Sequence, residues 1–276
     1  MNFNNIIGEI EKVDPEVYDR LDTRRSAMKS FANLSGKLAL AAVPLALGSM
    51  FKKAYAGTTS TNETIVEILN YALTLEHLEY GFYLKGFMEA PIPAGPAKMA
   101  IQTIRDHEGQ HVAFLRTAIT SLMGTPVPVP EFDFTAKGTF PTVFSNFATF
   151  LAVAQTFEDT GVRAYKGRAA ELVKGGALLE AALKIHSVEA RHAAHIRQIR
   201  KAYGYGDVKP WITGKNSGIG SAAVQASYDG EENTKQAGIE ITNINGMMVS
   251  ADAASEAFDE GLSKAQVLAI VAPFFK

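Results

Sequence analysis

The stretch Glu76-His77-Leu78-Glu79-Tyr80-Gly81-Phe82-Tyr83 returns in altered form as Glu158-Asp159-Thr160-Gly161-Val162-Arg163-Ala164-Tyr165, with Glu and Tyr again seven apart. The offset is 82 for the glutamates (158 − 76) and 82 for the tyrosines (165 − 83). Each copy is followed by Glu-x-x-His: Glu108-Gly109-Gln110-His111, then Glu189-Ala190-Arg191-His192, 81 residues later (189 − 108). Residues i and i+3 share one face of a helix, so each Glu-x-x-His offers a carboxylate and an imidazole to one point. Two such pairs and two lone glutamates turned inward would supply four carboxylates and two histidines. Their four negative charges match two divalent ions, which offsets the cost of burying so many acids. Hard oxygen donors with a few imidazoles suit iron or manganese and leave room for a small oxygen ligand. The expected ligands of two iron (or manganese) ions are therefore Glu76, Glu108, His111, Glu158, Glu189 and His192.

Outward from these motifs the chain reads as helix. Ile65, Leu69, Leu73, Glu76, Tyr80, Tyr83 and Phe87 form one stripe over 62–89, with Thr61-Asn62 as a cap and a proline-rich end at 91–96. Further helices are expected over about 97–123, 141–167 and 177–203, with Gly175-Gly176 between the last two. Each would be roughly 37 Å long at about 1.5 Å per residue. No comparable stretch alternates like a strand. Short links make the first pair and the last pair antiparallel neighbours. The middle link, 124–139, carries Pro126, Pro128 and Pro130. Extended at about 3.3 Å per residue it spans some 50 Å, enough to cross the bundle. The expected fold is an all-α four-helix bundle of two antiparallel hairpins joined by a long crossover.

Composition removes other chemistries. There is no cysteine, so disulfides, thiolate zinc sites, iron–sulfur clusters and thiol catalysis are all excluded. A net charge of −2 gives no basic footprint for a nucleic-acid partner. All six histidines fall between His77 and His195, in the middle of the chain.

Residues 1–56 read as an address. Thr23-Arg24-Arg25-Ser26-Ala27-Met28-Lys29 precedes a mildly apolar run, Leu38 to Leu47, broken by Pro44. Phe51-Lys52-Lys53 and a small-x-small site, Ala54-Tyr55-Ala56, follow. This is the order of a secretory signal, and the run is too short to span a bilayer. The paired arginines resemble a twin-arginine signal, from which Ala27 departs, since a bulky apolar residue is usual there. The expectation is export to the periplasm with cleavage near Ala56, membrane contact being limited to export. The chain then divides into 1–56, a bundle at 57–205 and a C-terminal extension at 206–276 packing on the bundle.

The neighbours of the motifs carry further expectations. Glu79, one turn from Glu76, competes for the ligand role, and the repeat favours Glu76 because only it has the tyrosine seven on. Tyr83 and Tyr165 are expected on the inner stripe, hydrogen-bonding the carboxylates or simply filling the core. His77 and His107 are expected at the surface or rim, His195 near the site one turn beyond His192, and His186 on a polar face. Asp106 and Asp159 read as exposed acids or as partners of a ligand histidine. In the extension, 204–220 reads as loop with Trp211 packed on the bundle, and 228–233 as an acidic turn whose spacing matches no metal loop. Short helices over 251–262 and 263–272 would cover the bundle or meet a second copy of the chain.

With those residues in hand, the sequence resembles the ferritin-like superfamily, in which a Glu, Glu-x-x-His set twice over marks di-iron and di-manganese proteins. It is most similar to exported ferritin-like proteins related to plant desiccation-related proteins. The resemblance rests on the ligand motifs of 60–205 and more weakly on 228–233 and Ala257-Phe258-Asp259-Glu260. It implies a carboxylate-bridged di-metal centre reacting with oxygen or peroxide. The leading expectation is a periplasmic di-iron protein that oxidises Fe(II). A di-manganese catalase and a non-catalytic stress protein with a stabilising metal site are the alternatives.

Overall fold

The computed structural model describes residues 64–276, apart from Asn245 and the side chain of Lys174. The leader read in residues 1–56 lies outside the described residues. The molecule is all-α in its main body, built on four long helices: α1 (Ile65–Glu89), α2 (Pro96–Ser121), α3 (Phe147–Ala169) and α4 (Ala177–Ala202). α1 pairs with α2 and α3 with α4, and the link after Ser121 is the crossover.

Local chemistry sets the helix starts, and two differ from expectation. α1 begins after Thr64, not Asn62, because Thr64 and Glu67 form a reciprocal capping box. α3 begins at Phe147, six residues later than expected. Residues 141–145 form turns, and the Asn146 side chain accepts from the Thr149 amide as the cap.

An aromatic cluster fixes the angle between the hairpins at one end. Phe82 stacks on Phe150 with centroids 4.9 Å apart and meets Phe134 of the crossover edge-on at 5.7 Å. Gly86 makes that stacking feasible, since a Cβ there would sit 2.1 Å from the Phe150 ring. The crossover also buries one flank of α1. Asn70 donates to the Thr125 carbonyl and accepts from the Val127 amide.

The extension is fastened to α3 and α4 by buried polar groups. Asp159 pairs with Arg197 and accepts from the Tyr228 hydroxyl at 2.8 Å, and Gln155 donates to that hydroxyl at 3.0 Å. Arg163 lies 2.7 Å from Glu231 and donates to the carbonyls of Ser227 and Asp229. Gly167 lets the extension touch the α3 backbone, for a Cβ there would lie 1.9 Å from the Leu262 carbonyl oxygen. Asp159 is therefore neither exposed nor a partner of a ligand histidine; it anchors the extension.

Other parts of the extension also depart from expectation. Trp211 is half exposed, with its indole hydrogen-bonded to Glu256. The helices expected over 251–262 and 263–272 shorten to α5 (Ala251–Ser255) and α6 (Lys264–Val271). Two minimal antiparallel hairpins, Lys235–Gln236 with Ile239–Glu240 and Asn243–Ile244 with Met247–Met248, stand where no strand was expected. The turns Ala237-Gly238 and Gly246, all at positive φ, close them. No described helix is long and apolar enough to cross a membrane.

Candidate metal centre

Each long helix turns acid into the bundle near its middle. Glu76 on α1, Glu108 on α2, Glu158 on α3 and Glu189 on α4 are all fully buried, with His111 and His192 nearly so. Helix spacing delivers each pair: His111 Nδ1 lies 3.0 Å from Glu108 Oε2 on its own helix. Across the bundle it lies 3.2 Å from Glu76 Oε2 and 3.3 Å from Glu189 Oε1. His192 Nδ1 lies 2.8 Å from Glu108 Oε1 and 3.3 Å from Glu158 Oε2. Two donor groups result, Glu76/Glu108/His111/Glu189 and Glu108/Glu158/Glu189/His192, each with its ligand atoms within 4.8 Å of one another. Glu108 and Glu189 belong to both. The two groups share two carboxylates.

The donor atoms fit metal better than they fit one another. Glu108 Oε1, Glu158 Oε2, both oxygens of Glu189 and His192 Nδ1 are buried without a properly aligned hydrogen bond. Buried polar atoms are rarely left so. Their convergence, with oxygen donors outnumbering imidazoles, matches the coordination habit of iron or manganese.

These observations coincide with a comparison across protein families: the ferritin-like domain matches residues 64–202, half of the chain. The chain belongs to the ferritin-like family. No curated protein matches it. In this ferritin-like centre the two tyrosines of the repeat reach across the bundle. Tyr83 of the first copy donates to Glu158 of the second at 2.5 Å, and Tyr165 of the second donates to Glu76 of the first. Each phenol thereby orients the lone glutamate of the opposite hairpin. Burial and the neighbouring carboxylates push both phenols well above their ordinary range, so they stay protonated donors.

Glu79 is a part of the site that the repeat alone does not assign. It is buried, its Oε2 has no hydrogen-bond partner, and burial followed by the charge of Glu189 pushes its carboxyl well up. Its counterpart in the second copy is Gly161 (79 + 82). A Cβ on Gly161 would stand 3.0 Å from both Glu79 Oε1 and Glu189 Oε2. One copy carries a fifth carboxylate, and the other carries the space it occupies.

The remaining histidines need correction. His77 is buried, not at the surface, because the crossover covers it; its ring hydrogen-bonds the Val127 backbone, and burial lowers its pKa. His107 does sit at the rim, half-buried, but it braces a ligand candidate: its Nδ1 is 3.0 Å from His192 Nε2, with the rings stacked at 5.2 Å. Such a partner fixes which nitrogen His192 turns inward. His186 is partly buried with Nδ1 3.0 Å from the Val162 carbonyl, and His195 is exposed. Asp106 is exposed beside Arg105, as expected.

The proton balance follows from burial. Burial raises Glu76 to about 7 and holds Glu189 well above the ordinary carboxylate range. Burial also works against Glu108, but the facing imidazoles of His111 and His192 overcome it and hold Glu108 at about 2. His192 is in turn raised to about 11, its desolvation outweighed by Glu158 and Glu108. The metal-free fold therefore holds protons on Glu76, Glu79 and Glu189 that the unfolded chain releases near 4.5. A fold that binds more protons than the unfolded chain loses stability as pH rises. The metal-free protein should melt at a lower temperature at pH 8 than at pH 5.5. Metal uptake should release protons and weaken toward pH 5.5, because ligands must be deprotonated to bind. Circular-dichroism melts and Co(II) titration in weakly buffered solution check both; pH-independent uptake would contradict the proton assignment.

Proposed function

We propose that this ferritin-like protein is a di-iron carboxylate oxidoreductase that oxidises Fe(II) with dioxygen or peroxide. Supporting the reading most directly is the sharing of Glu108 and Glu189 between two donor groups, which would hold two metals side by side. Iron held by Glu76, Glu108, His111, Glu158, Glu189 and His192 would supply the electrons for a two-electron reduction of an O–O bond, one from each of two ions, a change that a lone ion makes less readily. With peroxide the balance is two Fe(II), one H2O2 and two protons giving two Fe(III) and two water molecules. With dioxygen it is two Fe(II), one O2 and two protons giving two Fe(III) and H2O2.

The chain's own groups have definable parts in this. Tyr83 and Tyr165 hold Glu158 and Glu76 in place, and His107 holds His192. The bundle excludes water from the carboxylates, which strengthens their hold on cations. Glu79, protonated and unpartnered at Oε2, is placed to deliver one of the protons the balance requires.

We also propose that the chain acts in the periplasm after twin-arginine export, on the order of residues 23–57. Replacing Arg24 and Arg25 by Lys should hold the protein in the cytoplasm, and undiminished export would remove this part of the proposal.

The redox test uses protein loaded anaerobically with Fe(II). Addition of oxygen or peroxide should produce the near-ultraviolet absorption of ferric carboxylate sites, and further Fe(II) should be turned over. Glu158→Gln, which removes one charge from the second group, should slow oxidation by tenfold or more, the cost of about 1.4 kcal/mol in the barrier. A di-manganese catalase would instead evolve oxygen from peroxide and ignore Fe(II). Metal that binds and reacts with neither oxidant would leave only a stabilising site.

A further inference from the structure

One cavity lies in the bundle interior outside the carboxylates, at the end where α1 and α4 begin and α2 and α3 finish. Its wall includes Ala72, Leu115 and Ile185. These stand one helical turn from Glu76, His111 and Glu189 respectively, three of the four donors of the first group. Tyr165 also lines it, and the hydroxyl of that ring donates to Glu76. At the other side Phe114, 40% exposed, brings the wall to solvent. The cavity thus runs from the surface of α2 toward the first donor group.

Its size and lining select a guest. The space open to the centre of a water-sized sphere is about 20 Å³. That admits one or two very small molecules and no organic chain. The wall is otherwise almost wholly aliphatic and aromatic. Its polar side chains are three: Tyr165, whose hydroxyl is committed to Glu76, Arg168, which donates to Glu171 and lies over the Tyr71 ring, and Tyr71 itself, whose hydroxyl is buried. A buried water or peroxide needs two to four hydrogen-bond partners, and a hydrated cation needs more. Dioxygen needs none.

We propose that this cavity is the access route and holding site for dioxygen, so that dioxygen, not peroxide, is the oxidant the centre takes from solution. The proposal rests on the Fe(II)-oxidising reading above and names its oxidant. Obstruction of the cavity then affects oxidation by dioxygen and not oxidation by peroxide.

The test begins with xenon, an apolar probe of similar size, on crystals of the full chain. Xenon should occupy the cavity in the wild type and be lost in Ala182→Leu, which adds three carbons to the cavity wall. With Fe(II)-loaded protein, Ala182→Leu should slow oxidation by dioxygen at least tenfold while the rate with peroxide stays within twofold. Phe114→Ala, a partly exposed position, should raise the dioxygen rate and guards against a packing fault in the first variant. Absence of xenon in the wild type overturns the proposal. So does equal slowing with both oxidants, or dioxygen oxidation that ignores both variants while the wild type remains active. A wild type that oxidises Fe(II) with neither oxidant, yet binds xenon, overturns the Fe(II)-oxidising reading itself, and the dioxygen assignment goes with it.

Discussion

The double variant Glu108→Gln/Glu189→Gln should bind no metal pair at all while keeping its four helices. Both residues contribute to both donor groups, so their loss removes two charges from each group at once. The two imidazoles that remain, with Glu76 and Glu158, would then have to hold ions at single-carboxylate sites, far below what paired divalent ions require. Removing one group's own ligand should act differently. His111→Ala leaves Glu108, Glu158, Glu189 and His192 intact, so one ion of two should persist. Glutamine preserves side-chain shape, and Glu189 is already protonated in the metal-free fold. Loss of the Glu108 charge removes the counter-charge of His111 and His192, which can give up their protons, so the metal-free double variant should keep its helices and melt only modestly below the wild type. Elemental analysis after loading, with parallel thermal melts, checks the pair of expectations. Two ions retained per chain in the double variant would refute the shared-carboxylate geometry, and a collapsed fold would show that these acids act structurally.

The centre and the bundle were legible for one reason: ligand spacing and helix spacing are the same arithmetic. Glu108-x-x-His111 and Glu189-x-x-His192 point inward because three residues make nearly one turn, and duplication shows as a constant offset. The crossover was legible by length alone, but what it covers was not. Nothing in residues 124–146 is periodic, so the burial of His77 beneath Val127 leaves no mark in sequence. Glu79 was ambiguous because a one-turn shift keeps a side chain on nearly the same face. The informative residue was Gly161, its counterpart in the other copy, whose missing side chain is the signal. The extension was least legible, since Asp159 meets Tyr228 across 69 residues of chain and no local rule links them.

That long-range contact carries the second large expectation. Asp159→Ala should destabilise the protein more than loss of any single metal ligand does in the metal-free state. Arg197 is 1% exposed and its guanidinium is paired with Asp159, so truncation strands a buried cation and removes the acceptor of the Tyr228 hydroxyl. Breaking a buried ion pair from one side costs about 3–5 kcal/mol. In a chain of this size each kcal/mol lowers the melting midpoint by roughly 2–4 °C, so a fall on the order of 10 °C is expected. Replacing both partners, Asp159→Leu with Arg197→Met, should recover most of that loss, because no uncompensated charge is then left in the interior. The adjacent Glu158 is turned about 100° round the helix, toward the donor groups, so metal stoichiometry should be unchanged in both variants. Thermal melts with elemental analysis decide it. A single variant as stable as the wild type would mean that the extension is held by its apolar contacts alone. Lost metal with an unchanged midpoint would instead tie Asp159 to the centre, through the helix it shares with Glu158, and not to the extension.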